Sequence, residues 1–456
     1  MAMGKRKRDE QSSFWIAATA LPQSGGHPFY QQVNKILDAE GFDEFVEACC
    51  RDFYADHKGR PSLPPAVYFR LLLIGYFEGL DSERGIAWRV ADSLGLRRFL
   101  GYGLADGTPD HSTISRNRRL IDVQTHQAVF TWVLQVLAKR KLLDGKTLGI
   151  DATTLEANAA LRSIVRRDTG EDYKAFLEHL AEESGIETPT RQDLAKLDRK
   201  RPRKGSNEDW ESPSDPDAKI TKMKDGRTHL AHKAEHAVDM KTGAIVAVTL
   251  QPANRGDTTS IEQTLTQADD NLVAVMKDEQ ACEQLSEQVL REVVADKGYH
   301  SNEVLKTHRH REIRTYISEP DRGRRNWKDK PAEHDAVYGN RRRIRGRRGK
   351  RLMRKRGELV ERSFAHTYDT GGMRRTHLKR HRNILKRLLI HVAGFNLSLI
   401  LRTLLGFGTA RGLQGLGGHF VDGVFELCRH WIGVSARRRN WMMQEWWIRS
   451  ATRPAA

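Results

Sequence analysis

Thr147-Leu148-Gly149-Ile150-Asp151 and, far downstream, Val293-Val294-Ala295-Asp296-Lys297-Gly298-Tyr299 are two apolar runs that each end on an aspartate. Short apolar runs bounded by polar residues read as buried strands. An acid closing such a strand lies at a sheet edge, where it either caps the next element or serves a site. A third acid, Glu361 in Glu358-Leu359-Val360-Glu361-Arg362, reads as helical and follows a very basic stretch. Two carboxylates at strand ends and one on a later helix can converge. Clustered oxygens suit hard divalent cations, and paired ions drive phosphodiester chemistry. Structural alternatives stand beside this reading. Asp151 could form a turn with Thr153 and Thr154. Glu361 could pair with Arg354 or His366, and Glu358, one turn earlier, is its rival.

The surrounding pattern is mixed. Strands are expected over 148–153, 229–239, 244–250, 292–296 and 314–317, and helices over 258–270, 279–288 and 301–307. Asp239-Met240-Lys241-Thr242-Gly243 reads as a hairpin turn in which Gly243 supplies positive φ. Strand, hairpin, helix, strand, helix, strand, helix is an α/β order, and it matches a ribonuclease-H-like mixed-sheet core with charged insertions. Before it, apolar residues at helical spacing from Phe29 onward mark an all-helical domain. The division expected is a flexible basic arm at 1–26, a helical DNA-binding domain at 27–140, a catalytic domain at 141–405 and a glycine-rich, basic and aromatic tail at 406–456. Insertions are expected at about 162–225, largely mobile apart from short helices near Leu177, Leu180 and Leu194, and at about 319–357, polar and intensely basic.

The chain of 456 residues is 38% hydrophobic and 30% charged, with a formal net charge of +18. That leaves enough apolar material for a core, and the positive excess favours a polyanion, nucleic acid ahead of an anionic membrane. Cys49, Cys50, Cys282 and Cys428 fit no zinc spacing, which points to a reducing, cytoplasmic setting. Residues 1–10 lack the apolar segment of a secretory signal. The apolar run at 388–405 is interrupted by His391 and Arg402 and reads as a buried helix rather than a membrane span. His229, His232 and His236 are spaced like ligands, but no cysteine or acid completes a tetrahedral zinc set. Asp257 is either an outer acid of the site or a helix N-cap.

Two stretches suggest contact with DNA. In Thr108-Pro109-Asp110-His111-Ser112-Thr113-Ile114-Ser115-Arg116-Asn117-Arg118-Arg119, Asp110 or Ser112 can cap a helix that presents Arg116, Arg118 and Arg119, as in a helix-turn-helix. The densest basic segment holds Arg341, Arg342, Arg343, Arg345, Arg347, Arg348, Lys350, Arg351, Arg354, Lys355 and Arg356 and leads into the Glu361 helix with Arg362. Its cations suit phosphates, which confer affinity without base specificity. Tyr299, Trp327 and Tyr338 are candidates for stacking on unpaired bases. Trp431, Trp441, Trp446 and Trp447, with Arg437-Arg438-Arg439, mark a tail that could dock on DNA or on a second protomer.

The stretches around Asp110–Arg116, Gly149–Thr153, Ala295–Tyr299 and Glu358–Arg362, with Met373-Arg374-Arg375, together resemble bacterial insertion-sequence transposases of the DDE type. The resemblance spans roughly residues 28 to 405. It implies a ribonuclease-H-like fold, with Asp151, Asp296 and Glu361 as catalytic and metal-binding triad. Two Mg²⁺ ions, replaceable by Mn²⁺, would serve cleavage and strand transfer. It further implies double-stranded DNA as partner (element ends and target), a homodimer or higher synaptic complex, and a nucleoid-associated, non-membrane protein of the bacterial cytoplasm. Many relatives carry arginine four residues before the glutamate and lysine seven after it. Here those positions are Gly357 and Tyr368, leaving Arg354, Arg356 and Arg362 as substitutes. A metal-dependent nuclease without strand transfer and a non-catalytic DNA-binding regulator are the alternatives.

Overall fold

The computed structural model describes residues 27–54, 62–201, 205–223, 225–323, 325–410 and 412. The basic arm and the tryptophan-rich tail singled out above lie outside the described residues.

Seven helices come first: α1 (Pro28–Ala39), α2 (Phe42–Cys50), α3 (Pro65–Glu78), α4 (Glu83–Ala91), α5 (Leu94–Phe99), α6 (His111–Leu120) and α7 (Val123–Lys139). Their starts follow from local chemistry. Pro65 opens α3 at a position that has no helical N–H partner to lose. Ser82, Ser93, Asp110 and Asp122 each accept a first-turn N–H through the side chain. Helix α3 is apolar almost all round and is correspondingly buried.

The sheet comprises β1 (Thr147–Glu156), β4 (Lys219–Lys222), β5 (Thr228–Asp239), β6 (Ile245–Pro252), β7 (Glu292–Ala295) and β8 (Arg314–Ile317), interspersed with the short β2 (Val165–Arg166) and β3 (Trp210–Glu211). Its order is β4-β5-β1-β7-β8, with β6 also against β5. Strand β5 is antiparallel to β1, β4 and β6, while β1, β7 and β8 run parallel. The β5–β6 turn is held by Asp239, whose buried carboxylate accepts the N–H groups of Asp144, Gly145, Lys241 and Thr242. Gly243 takes φ +83° there, as the hairpin reading requires.

Between and after these strands come α8 (Tyr173–Glu183), α9 (Arg191–Lys200), α10 (Asp257–Met276), α11 (Glu279–Cys282), α12 (Asn302–His310), α13 (Pro331–Arg345), α14 (Arg347–Phe364) and α15 (His381–Leu405). Two expectations need correction. The 162–225 segment is ordered over most of its length. Trp210 is buried against Tyr173 and Phe176 (ring centroids 4.9 and 5.3 Å), with Ile164, Ala218 and Ile220 in the same small core. The 319–357 segment, polar and basic as read, is not without regular structure: from Pro331 it is helical, and the helix carrying Glu361 starts at Arg347.

Helix α15 is long and apolar enough to cross a membrane by composition, but it is mostly buried inside the protein. It packs on α3, α7 and β6, so one continuous core joins the N-terminal helices to the sheet. Lys386 donates to the carbonyls of Arg118 (2.8 Å) and Ile121 (2.5 Å), closing the end of α6. Asn396 brackets the backbone of Ile245, accepting its N–H and donating to its C=O.

Candidate functional site

Strand alternation sorts the sheet residues by face. Gly149 pairs with Val238 on β5 and Val294 on β7, and Asp151 pairs with His236. Continuing the parallel register by two residues sets Asp296 beside Asp151, whose carboxylate lies on the face that α14 crosses. Neighbouring strands lie about 4.8 Å apart, so the two carboxylates are close. Their fields couple. Burial lifts the Asp151 carboxyl above its ordinary value and the Asp296 charge adds to this, while Arg356 and the Ala152 N–H oppose it.

Helix α14 reaches this face because Leu352, Leu359, Val360 and Phe364 recur at helical spacing and are buried. Leu352 joins Met240, Val294 and Tyr316. A side chain on Gly149 would meet Met240 Sδ at 2.5 Å, Arg356 Cγ at 3.2 Å and Val360 Cγ2 at 3.3 Å, so glycine is what lets the helix lie this close. Arg356 then donates to Asp151 Oδ2 (2.8 Å) and to the Ile150 carbonyl (3.3 Å). At the far end of the helix, His236 lies between Ser363 (2.9 Å) and Tyr368 (2.6 Å). Asp296 caps the turn after β7, its Oδ1 accepting the Gly298 N–H at 2.8 Å.

Glu361 is exposed on α14, one turn beyond Gly357. Its rival Glu358 is held by Arg362 (2.6 Å). Among the described residues no three histidine, cysteine or acidic side chains converge closely enough to hold an ion. The structure therefore brings two of the three expected acids together and leaves the third on the helix that crosses them. The all-oxygen donors fit a hard divalent cation. A carboxylate that burial makes costly to charge, with a guanidinium drawn onto it, is a place where positive charge is needed.

The expected DNA contacts divide. Arg116 and Arg119 are exposed on α6, but Arg118 is buried, bonded to Glu83 (2.6 Å) and Ser115 (3.1 Å). Arg341 is bound bidentately by Glu319, Arg343 by Thr315, Arg348 by Glu292 and Arg362 by Glu358. Arg342, Arg345, Arg347, Lys350, Arg351 and Arg354 are exposed and carry no ion pair among the described residues; Lys355 is half-buried. Tyr299 is not a stacking platform. It is fully buried, its hydroxyl donating to Glu235 at 2.7 Å. Tyr338 is 40% exposed and lies near Trp327 and under Arg341. The three histidines are occupied by separate partners: His229 by Asp225, His232 by Asp215, His236 by Ser363 and Tyr368.

Sequence reasoning missed three features here: the Arg356–Asp151 pair, the His236 contacts, and a buried Lys233–Glu235 pair on β5. For the last a signal existed. Lys233 and Glu235 alternate along a strand, and Ser260 and Thr264 are spaced to meet them from one helix face.

A six-stranded mixed sheet with one aspartate midway along β1 rather than at its end, a second just past the end of the parallel neighbour β7, and a helix crossing that face defines a ribonuclease-H-like core of the DDE kind. A family model described as "Transposase domain (DUF772)" matches residues 20–120, and one described as "Transposase DDE domain" matches residues 185–397. No curated protein and no solved structure matches. The chain belongs to the insertion-sequence transposases of the DDE type and acts on DNA. This family generally depends on divalent metal. The DDE match spans Asp296 and Glu361 but begins after Asp151.

Proposed function

We propose that Asp151, Asp296 and Glu361 are the catalytic carboxylates of this transposase and that they hold two divalent ions, Mg²⁺ or Mn²⁺. The observation that supports this most is the side-by-side placement of Asp151 and Asp296 on the face crossed by α14. Ions held there supply charge neutralisation at the scissile phosphate and ease deprotonation of the attacking hydroxyl. Asp151 presents its oxygens from β1, and Asp296 from the turn that follows β7. Glu361 closes the site from α14, with Glu358 withdrawn by its bond to Arg362. Arg356 neutralises Asp151, and with a cation bound at Asp151 it would be available to the DNA end, the role left open by Gly357. No covalent enzyme intermediate is needed, since water or a 3′-hydroxyl attacks directly.

The exposed cations of α13 and α14 track DNA phosphates beside the acids, while Arg116 and Arg119 on α6 bind the element end within a 27–140 recognition region. The 141–405 region performs the chemistry, and two copies hold two ends together on DNA in the bacterial cytoplasm. The test is purified protein with labelled element ends, a target plasmid and Mg²⁺ or Mn²⁺. Joining that is lost in Asp151→Asn, Asp296→Asn and Glu361→Gln, with DNA binding kept, is the expected result. Cleavage without joining would make the protein a nuclease. Joining retained by Glu361→Gln would remove Glu361 from the site.

A further inference from the structure

Beneath the Asp296 turn, on the sheet face away from Asp151, two charges, Lys233 and Glu235, are buried together beside the partly exposed Asp257. Lys233 is 4% exposed, and its ammonium donates to Asp257 Oδ1 (2.5 Å), Ser260 Oγ (2.9 Å) and the Arg255 carbonyl (3.2 Å), with Glu235 at 3.9 Å. Glu235 is fully buried and accepts hydroxyls from Ser260 and Tyr299, both at 2.7 Å, and from Thr264. Packing alone does not call for this. Buried ion pairs seldom stabilise more than apolar side chains of the same volume.

The network ends on the turn that carries Asp296. Tyr299 ties one end of the turn to Glu235. At its centre, a side chain on Gly298 would come within 2.5 Å of Asp257 Oδ2 and 3.1 Å of Asp296 Oδ1, so both carboxylates close on the same point. Asp257 is not the side-chain cap of α10: Gly256 holds the N-cap position, and Asp257 is the first helical residue, with Oδ1 committed to Lys233. The outer-acid alternative for Asp257 is the one this geometry favours.

We propose that Asp257 and Lys233 are positioning residues for strand transfer. Asp257, charge-balanced by Lys233, fixes the Lys297–Tyr299 turn, so that the Gly298 N–H holds the Asp296 carboxylate toward Asp151. The inference rests on Asp296 being a reactive carboxylate, as proposed above. Residues that orient metal-binding groups typically cost about 10–100-fold in metal affinity or activity when changed.

The experiment compares the parent with Asp257→Asn, Lys233→Met, their double variant and Asp296→Asn. Readouts are single-turnover joining, Mn²⁺ binding by calorimetry without DNA, the Kd for element-end DNA, and the melting midpoint. Expected for Asp257→Asn and Lys233→Met are joining and Mn²⁺ affinity each lowered about 10–100-fold, with DNA affinity unchanged. The double variant should be no worse than the poorer single, because the two side chains act as a unit. Parent-like joining and Mn²⁺ affinity in folded Asp257→Asn would overturn the proposal. So would a loss of joining matched by the fraction of unfolded protein at the assay temperature. Parent-like joining by Asp296→Asn would instead overturn the underlying assignment of Asp296.

Discussion

Acid should weaken this protein through His236 in particular. The Ser363 hydroxyl donates to the Val360 carbonyl (2.7 Å), so it can only accept from His236 Nδ1–H. Nε2 is left to accept from the Tyr368 hydroxyl. The ring is therefore neutral with both nitrogens engaged, and burial brings its pKa down from 6.5 to about 3. Above pH 6.5 neither the folded nor the unfolded chain binds a proton here. Below it the unfolded imidazole takes one that the folded site refuses, so stability is complete above about 6.5 and drains away as pH falls toward 3. At pH 5 the unfolded imidazole is protonated about 30 to 1, which corresponds to about 2 kcal/mol. Urea unfolding at pH 7.5 and 5.0 checks this against His236→Gln. The variant should be less stable at pH 7.5, yet lose about 2 kcal/mol less than the parent between the two pH values. His126, also brought to about 3 by burial, contributes equally to both proteins. Equal losses in parent and variant would refute the reasoning.

Gly149→Ala should push α14 off the sheet, costing about 1–3 kcal/mol in urea unfolding and depressing joining more than DNA binding; a melting midpoint like the parent's would show that Met240 simply yields. Arg118→Ala, which leaves Glu83 in a buried site without its partner, should cost about 3 kcal/mol or more. Arg116→Ala and Arg119→Ala should leave melting unchanged and weaken element-end binding in a mobility-shift assay. Replacing Arg342, Arg345 and Arg347 by alanine should reduce the slope of log Kd against log salt by about one unit for each phosphate no longer neutralised, whereas Arg341→Ala, already bound by Glu319, should move that slope less and stability more.

The strands of the site were legible because each holds a short apolar run leading to an acid, although β1 continues past Asp151 to Glu156 and so carries that acid mid-strand. The β5–β6 hairpin was legible because Gly243 sits where a turn needs it. Helix α13 and the basic first half of α14 were not. A run of arginines repels itself within any local window, and the acids that relieve it are remote: Glu319 for Arg341, Glu292 for Arg348, Asp151 for Arg356. Leu352, Leu359, Val360 and Phe364 held the helical signal, masked by that charge. Tyr299 misled for the same reason. Its partner Glu235 lies 64 residues upstream, on β5. Arg118 reads as one of three equivalent cations, and only the packing of α4 against α6 turns it inward to Glu83.

Helix α15 sets an order of events during synthesis. The apolar surfaces of α3 and α7 are made early, but their covering partner is among the last described segments to be translated. Until it emerges, the N-terminal helices expose the surface that α15 will bury, a state that invites holding by chaperones or aggregation. A product stopped before His381 would lack the brace between the helical region and the sheet, and would be cleared rather than persist.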